Sequence, residues 1–188
     1  RGNPMRKIVT SLGLTALALL ALPAQAQLFE EGSTVVMLAN MHHQAGETEL
    51  YSLNYQLPAM IPMCTEATVV KRKKKQITLA INGVEFKMKY DKHTKKAGVS
   101  FDDALGNYFG ESCETDKAEA LSEVDRKGIR DGLPYEGMSK QGILYAMGRP
   151  PQHATPSLDG NMWMYWLNRF KRQAIHFDEN GNVERIRL

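Results

Sequence analysis

Methionine and histidine side chains lie together in the first third of the chain. Met41, His42 and His43 are consecutive, and thioether and imidazole groups are donors that copper(I) accepts. Methionine on the apolar side of a strand is, however, ordinary core packing, and Met41 falls on such a side. The sequence therefore predicts no metal and no cofactor, with a copper(I) site at these three residues as the alternative.

No pairing of a nucleophile with a base is recognisable in the sequence. It contains no Gly-x-Ser-x-Gly turn, no His-Glu-x-x-His zinc motif and no glycine-rich phosphate loop. Asp102 and Asp103 are adjacent, so on a helix their carboxylates point in different directions and do not act as an acid–base pair. We therefore expect a protein that is not an enzyme.

The start of the chain has the pattern of a bacterial secretory signal. A basic start over 5–7 and an apolar run over 8–22 lead to a small-x-small cleavage motif over 24–26. Residues 1–4 precede this signal and are interpreted as a vector remnant or a misplaced start. The run is shorter than the roughly 20 apolar residues of a membrane span. We therefore expect cleavage after Ala26 and export to the periplasm.

Removal of this segment cancels the apparent basic character of the chain. Three of the 24 basic residues lie in residues 1–26, and cleavage after Ala26 leaves 21 basic against 21 acidic residues. A neutral chain gives no electrostatic reason to expect a nucleic acid as partner. No later run is long enough to cross a membrane, and Gln27 stands where a lipid-anchored protein would have its cysteine. We therefore expect an unanchored protein without a transmembrane span.

Cys64 and Cys113 are the only cysteines of the chain. Their spacing is not Cys-x-x-Cys, which argues against thioredoxin-like redox chemistry. In an exported protein a single pair of this kind indicates a disulfide, which would close a loop of about 50 residues. The alternative is two separate buried thiols.

The strongest local concentration of charge is the run Lys71-Arg72-Lys73-Lys74-Lys75. Such a run suits an anionic component of the envelope, such as lipopolysaccharide or peptidoglycan. The other interpretation is a solvated hairpin arm, since lysines at strand edges prevent edge-to-edge pairing. Both interpretations place the run on the protein surface.

Strand patterns dominate residues 27–114. Alternating apolar residues predict a strand over 34–41, and two further alternating runs, 76–81 and 84–90, flank an Asn82-Gly83 pair. Asn-Gly between such runs is the typical sequence of a two-residue hairpin turn. We expect a β-rich domain that folds as a small barrel or a curled antiparallel sheet and is similar to exported SH3-like domains.

Two helices are predicted around the end of this domain. Ser100 is a suitable N-cap for a helix that Gly110 ends. Asp116 and Glu119 have the spacing of a capping box, which predicts a second helix over 116–127. The domain boundary is placed in this region, after residue 114.

Residues 115–188 are expected to form a second domain. Ser139 is a suitable N-cap for a helix that ends at Gly148. Three strands follow, over 162–166, 174–177 and 183–188. The chain as a whole is therefore predicted to be α+β, with a curled sheet followed by a helix packed on three antiparallel strands.

This second domain resembles the SmpA/OmlA family, the BamE-like lipoproteins of outer-membrane assembly. The family pattern is a Gly-Met-Ser/Thr helix start, a Leu/Met-Gly-x-Pro helix end, a Trp-x-Tyr strand, and a Phe-containing strand followed by a glycine turn. The matching residues are Gly137, Met138, Ser139, Ile143, Met147, Gly148, Pro150, Trp163, Tyr165, Phe177, Gly181, Val183 and Ile186. The resemblance implies a fold that contacts other proteins, and a similar fold occurs in secreted β-lactamase inhibitors.

Trp166 differs from Trp163 and Tyr165 because it faces the other side of the predicted strand. Together with Arg169 and Phe170 it is our candidate for anchoring a protein partner, since exposed Trp and Arg side chains dominate interface energies. The alternative is that a helix covers Trp166.

Export, the missing catalytic motif and the resemblance together predict a non-enzymatic envelope protein. It would act through protein–protein interaction, as an accessory or scaffold similar to outer-membrane assembly factors. One alternative is a periplasmic protein that binds the cell wall or another anionic ligand through Lys71–Lys75. The other alternative, carried by fold resemblance alone, is an inhibitor of a secreted hydrolase.

Overall fold

A curled sheet of six strands forms the first part of the structure, a computed structural model that describes residues 28–188. The predicted signal segment lies outside these residues. The strands of this part, which we call the N-terminal unit (28–110), are β1 (Thr34–Met37), β2 (Met41–His43), β3 (Glu49–Tyr51), β4 (Ala59–Ile61), β5 (Glu66–Lys73), β6 (Gln76–Ile81), β7 (Val84–Lys89) and β8 (Phe109–Gly110). The order across the large sheet is β3-β7-β6-β5-β1-β8, while β2 pairs separately with β4.

The large sheet is mixed and open. Every neighbouring pair is antiparallel except β3 and β7, which run parallel. The sheet does not close into a barrel, since β3 and β8 are its two edges. The expectation of an antiparallel sheet or a small barrel is corrected in these two respects. A strand of three residues such as β3 carries too little pattern to reveal its direction.

The strand predicted over 34–41 is in fact two strands, β1 and β2. Asn40 turns the chain out of the sheet, because its backbone N–H donates to the carbonyl oxygen of Tyr145 at 2.9 Å. Its side-chain amide donates to the carbonyl oxygens of Ile129 and Ala146 at 2.7 and 3.1 Å. These remote partners override the local alternation of apolar residues, so the prediction of one continuous strand was wrong.

The predicted hairpin around Asn82 and Gly83 is confirmed. Both residues have positive φ, 50° and 79°, as a two-residue turn of this kind requires. The turn joins β6 to β7 with Ile81 opposite Val84. Ile77, Leu79 and Ile81 of β6 are all buried as predicted, and Thr78 between them is buried as well.

Two short helices, α1 (Lys92–Lys96) and α2 (Phe101–Gly106), follow β7. Ser100 is the N-cap of α2 as predicted, and its hydroxyl accepts from the Asp103 N–H at 3.0 Å. The predicted extension of this helix to Gly110 was wrong, because Phe109 lies in β8 opposite Met37 of β1. Phe109, which the helical spacing of apolar residues had assigned to the helix, and Gly110, its predicted end, therefore belong to the sheet.

The helix predicted over 116–127 is two helices, α3 (Thr115–Glu119) and α4 (Glu123–Asp131). Ser122 interrupts them with extended backbone, and its hydroxyl accepts from the Asp125 N–H at 3.2 Å. Ser122 rather than Asp116 is thus the effective cap, and the predicted capping box was wrong. The residue before α3, Glu114, makes no side-chain capping bond.

The remaining elements form what we call the C-terminal unit (115–188), which contains a three-stranded antiparallel sheet. After α3 and α4 the elements are α5 (Lys140–Met147), β9 (Met162–Trp166), β10 (Arg172–Phe177) and β11 (Val183–Arg187), with sheet order β11-β10-β9. The Ser139 hydroxyl caps α5 by accepting from the Gly142 N–H at 3.0 Å, as predicted. The α+β class of the chain is therefore confirmed.

Each unit has its own apolar core. The core of the N-terminal unit lies between 29 and 109, and that of the C-terminal unit between 138 and 183. Trp163 and Tyr165 lie in the second core, on the side of the small sheet that faces α5. No helix in residues 28–188 is long and apolar enough to cross a membrane.

The last carbonyls of α5 join the two units. The final turn of a helix leaves its carbonyl oxygens without partners inside the helix. Here the Met147 oxygen accepts from the side-chain amides of Asn54 at 2.9 Å and Gln56 at 3.0 Å. The Tyr145 and Ala146 oxygens accept from Asn40, as described above. Side chains of the N-terminal unit thus cap a helix of the C-terminal unit.

Cys64 and Cys113 form a disulfide, which confirms the predicted pairing. Their Cα atoms are 5.2 Å apart, a normal separation for this bond. The disulfide links the loop before β5 to the segment between β8 and α3. It therefore holds a loop of the N-terminal unit next to the segment at which the C-terminal unit begins.

Replacing Gly148 with alanine is expected to lower the free energy of unfolding by about 3 kcal/mol. Gly148 has φ 71° and ψ −174°, and an added Cβ would lie 2.8 Å from both Asn54 Nδ2 and Tyr108 Cε1. Urea unfolding followed by circular dichroism measures the loss. Gly160→Ala is the matched control, because a Cβ there meets no atom within 4 Å. Equal effects of the two substitutions would contradict this account.

Removing the disulfide with Cys64→Ser and Cys113→Ser together is expected to lower stability by up to about 4 kcal/mol, since the closed loop spans 49 residues. The urea midpoint should fall while the far-ultraviolet spectrum in buffer stays native. Unfolding of the wild-type protein in dithiothreitol should give the same midpoint as the double variant. A midpoint indifferent to both treatments would show that the crosslink does not stabilise the fold.

Candidate binding cleft between the two units

The pairing of β9 with β10 places Trp166 beside Arg172 on the side of the small sheet that faces away from its core. The Arg172 guanidinium carbon lies 4.2 Å from the centre of the Trp166 ring. Stacking of this kind leaves the N–H edges of the guanidinium free for another partner.

Trp166 forms the floor of a cleft and is only 6% exposed. The rings of His93 and His153 pack on it with centroids 4.9 and 5.0 Å away, and that of Tyr55 lies at 6.2 Å. The expectation of Trp166 as an exposed anchor is therefore corrected. The alternative prediction, that a helix covers Trp166, is confirmed in part, because His93 belongs to α1.

Arg169 and Phe170 stand at the rim, in the tight turn that joins β9 to β10. The Asn168 side-chain oxygen accepts from the backbone N–H groups of Phe170 at 2.8 Å and Lys171 at 3.0 Å. The Leu167 N–H also donates to the Lys171 oxygen at 2.9 Å. These bonds hold Phe170 in place while 80% of it stays exposed.

The opposite wall comes from the N-terminal unit. Tyr51 and Tyr55 pack edge to face with ring centres 5.5 Å apart. The Tyr51 hydroxyl donates to Glu49, and this bond raises the pKa of Tyr51 to about 12. Tyr51 therefore stays protonated and serves as a fixed aromatic surface.

The cleft has a volume of about 920 Å³ and lies between the two units. The residues that line it are Gln44, Glu47, Tyr51, Tyr55, Leu57, Asp91, Lys92, His93, Trp166, Asn168, Arg169, Phe170 and Arg172. Among the described residues, Lys92, Arg169 and Arg172 form no ion pair with a carboxylate. The lining thus combines aromatic rings with three basic side chains and two carboxylates, Glu47 and Asp91, which suits a ligand that carries apolar groups and a net negative charge.

His153 covers Trp166 from the C-terminal unit, and its ring stacks on His93 at 5.0 Å. Burial lowers the pKa of His153, and the neighbouring His93 and Arg172 lower it further, against an opposing effect of Asp91. His153 is therefore neutral at pH 7. The imidazole of His153 that packs on Trp166 is consequently uncharged at neutral pH.

The structure does not bring Met41, His42 and His43 together around a common point. Met41 is buried in the core of the N-terminal unit. The two ring nitrogens of His42 face the carbonyl oxygens of Leu57 at 3.1 Å and Ala146 at 3.3 Å, and burial lowers the pKa of His42. Within residues 28–188, no three His, Cys, Asp or Glu side chains are grouped as metal ligands would be.

The basic run 71–75 lies at the β5–β6 hairpin, and none of its residues lines the cleft. The lysines are exposed. Arg72 differs from them, because it pairs with Asp102 and its guanidinium carbon lies 4.6 Å from the centre of the Phe101 ring. Arg72 is therefore engaged within the fold, and only the lysines are free to meet a ligand.

Sequence reasoning found one side of the cleft and missed the other. It singled out Trp166, Arg169 and Phe170, which are neighbours along the chain. It missed Tyr55 and His93, which reach Trp166 only through the packing of the two units. Arg172 could have been found, since pairing of the predicted strands around a short turn puts it opposite Trp166.

Comparison with known proteins gives no match for this chain, whether among protein-family models, curated proteins or solved structures. The resemblance of residues 115–188 to the SmpA/OmlA family therefore stays a prediction. The function of the chain has to be argued from the cleft and its chemistry.

Two-dimensional NMR of the imidazole groups tests the arrangement of the two histidines. We expect His153 to titrate below pH 6.5, the ordinary value, because burial and the neighbouring His93 and Arg172 oppose its protonation. His93→Asn should move this midpoint upward, toward 6.5. His176→Asn, a change at the far end of β10, should leave it where it is. A midpoint at or above 6.5 in the wild-type protein would contradict the stacked arrangement.

Proposed function

We propose that this protein is an exported, non-catalytic component of the cell envelope that binds another envelope protein through the cleft. Its role would be that of an accessory or scaffold. The C-terminal unit would then act as the resemblance to the SmpA/OmlA family implies, while the N-terminal unit supplies the second wall of the binding site.

The observation that carries this proposal is Phe170, an aromatic side chain held in an exposed position. The backbone N–H groups of Phe170 and Lys171 donate to the Asn168 side chain and order the turn, so a partner does not have to order this backbone. Phe170 stands beside Arg169 and at the edge of a cleft lined by Trp and Tyr. Aromatic residues and arginine around a recessed centre are the composition of energetic hot spots in protein interfaces.

Two further features support an envelope location. The secretory pattern over 5–26 predicts export. The disulfide between Cys64 and Cys113 is a bond that persists in oxidising compartments such as the periplasm. Export and a disulfide together agree with a partner that is also in the envelope.

A second candidate function is binding of an anionic envelope component at the hairpin. Lys71, Lys73, Lys74 and Lys75 are exposed, and among the described residues they form no ion pair. Pull-down on peptidoglycan at graded salt separates this function from the first, because binding by exposed lysines should fall steeply as the salt concentration rises.

Site-specific crosslinking in cells tests the first proposal. A photo-crosslinking phenylalanine analogue is placed at position 170 of the exported chain, and the crosslinked products are identified by mass spectrometry. We expect one dominant envelope protein. In binding measurements with that protein, Phe170→Ala and Arg169→Ala should each weaken affinity by a factor of ten or more, as hot-spot residues do.

Two controls make this result decisive. The same analogue at Lys74, on the exposed hairpin away from the cleft, should not capture that partner. Val84→Ala removes an exposed apolar side chain of the N-terminal unit and should leave affinity unchanged. Absence of any specific product from position 170, in cells where the chain is exported and folded, would end the proposal.

A further inference from the structure

One face of the small sheet is not covered by either core. Its residues follow from the strand register, because paired residues of antiparallel strands project to the same side. We call this the open face, and its residues are Met162, Met164, Trp166, Arg172, Ala174, His176, Arg185 and Arg187. The other side carries Trp163, Tyr165, Ile175 and Phe177, all of which belong to the core of the C-terminal unit.

The open face carries an excess of positive charge. Arg172, Arg185 and Arg187 are exposed, and the one carboxylate beside them is the exposed Glu184, the extra residue at the register shift between β10 and β11. None of the three arginines is in an ion pair within the described part of the chain. Because the chain without its predicted signal has equal numbers of basic and acidic residues, this face is a local concentration of charge.

Apolar side chains lie between these charges. Met162 is 47% exposed, and Met164 and Ala174 are half-buried without belonging to either core. Unbranched methionine side chains adapt to the shape of a partner and are common at binding surfaces. The open face is thus an adaptable apolar stripe flanked by guanidinium groups.

The open face and the cleft are one continuous surface, since Trp166 and Arg172 belong to both. Three strands of five or six residues make a face of roughly 200 Å². That is a fraction of the roughly 800 Å² that each partner buries in a stable protein interface. The open face therefore acts as an extension of the cleft.

We infer that the partner bound at the cleft presents an acidic segment, with carboxylates flanking apolar residues, to the open face. This inference rests on the proposed function and specifies the chemistry of its partner. Arg185 and Arg187 are two residues apart on one strand, so their spacing of roughly 7 Å matches that of alternate residues in an extended segment. Guanidinium groups bind carboxylates through two parallel hydrogen bonds, which lysines do not do.

The test uses the mature chain and a defined probe, a fluorescein-labelled ten-residue peptide of alternating Glu and Phe. Fluorescence anisotropy should show binding that weakens at least tenfold in the Arg185→Gln/Arg187→Gln variant and as NaCl rises from about 50 to about 500 mM. Lys73→Gln/Lys74→Gln removes the same charge from the hairpin and should leave the affinity unchanged. The corresponding Lys–Phe peptide should not bind.

Three results would overturn the inference. The hairpin variant could weaken binding as much as the open-face variant, or the Lys–Phe peptide could bind as tightly as the Glu–Phe peptide. The protein could also bind phosphatidylglycerol vesicles through Arg185 and Arg187 while ignoring the peptide, in which case the face meets a membrane.

Crosslinking separates failure of this inference from failure of the proposed function. A photo-crosslinking residue at His176, on the open face, should capture the same protein as position 170. Capture from position 170 but not from 176 overturns the inference alone. Capture from neither position overturns the proposed function.

Discussion

The C-terminal end of α5 is the constraint on which the rest of the structure depends. A helix that ends inside a protein must have its last carbonyl oxygens bonded by other groups, since a buried carbonyl without a partner is costly. The N-terminal unit supplies those groups from Asn40, Asn54 and Gln56. Asn54 is also hydrogen-bonded to the segment around Asn40. Its side-chain amide donates to the Asn40 carbonyl oxygen at 3.1 Å, and its side-chain oxygen accepts from the His42 N–H at 2.9 Å. The two units are thus joined by a network of hydrogen bonds whose residues are also bonded to one another.

This network also determines where the cleft forms. Gln56 caps α5 through its side chain, and its backbone N–H donates to the Trp166 oxygen at 3.0 Å. The same residue therefore fixes the end of the helix and the end of β9. Tyr55, one residue earlier, is carried onto the Trp166 ring as a result. The position of the residues that line the cleft thus follows from the capping of α5. Substitutions that weaken the hydrogen bonds of the junction should therefore also change the shape of the cleft.

What the sequence predicts well are features whose cause lies within a few residues. Ser100 and Ser139 cap helices through N–H groups three residues away, and Asn82 and Gly83 turn a hairpin through their own backbone angles. Two of the failures, the strand over 34–41 and the helix end at Gly110, have distant causes. Asn40 ends a strand because its side chain donates to carbonyl oxygens about 90 to 105 residues further along the chain. The candidate site divides the same way: its rim, from Trp166 to Phe170, is a local cluster in the sequence, whereas its far wall exists only because the units pack together.

The remaining imperfections of the structure are concentrated at this junction. Three buried side-chain atoms in residues 28–188 have no hydrogen-bond partner: Trp166 Nε1, Gln56 Oε1 and Gln173 Oε1. Gln56 is bonded to the Trp166 backbone, and Gln173 follows Arg172, the strand partner of Trp166. Each such atom costs about 1–3 kcal/mol, and folds retain costs of this kind chiefly where function requires the residue. Trp166 lies outside both apolar cores, and its ring packs instead against Tyr55 and His93 of the N-terminal unit and His153 and Arg172 of the C-terminal unit. Position 166 therefore serves the junction of the two units and the floor of the cleft at once, so a smaller side chain there should loosen both.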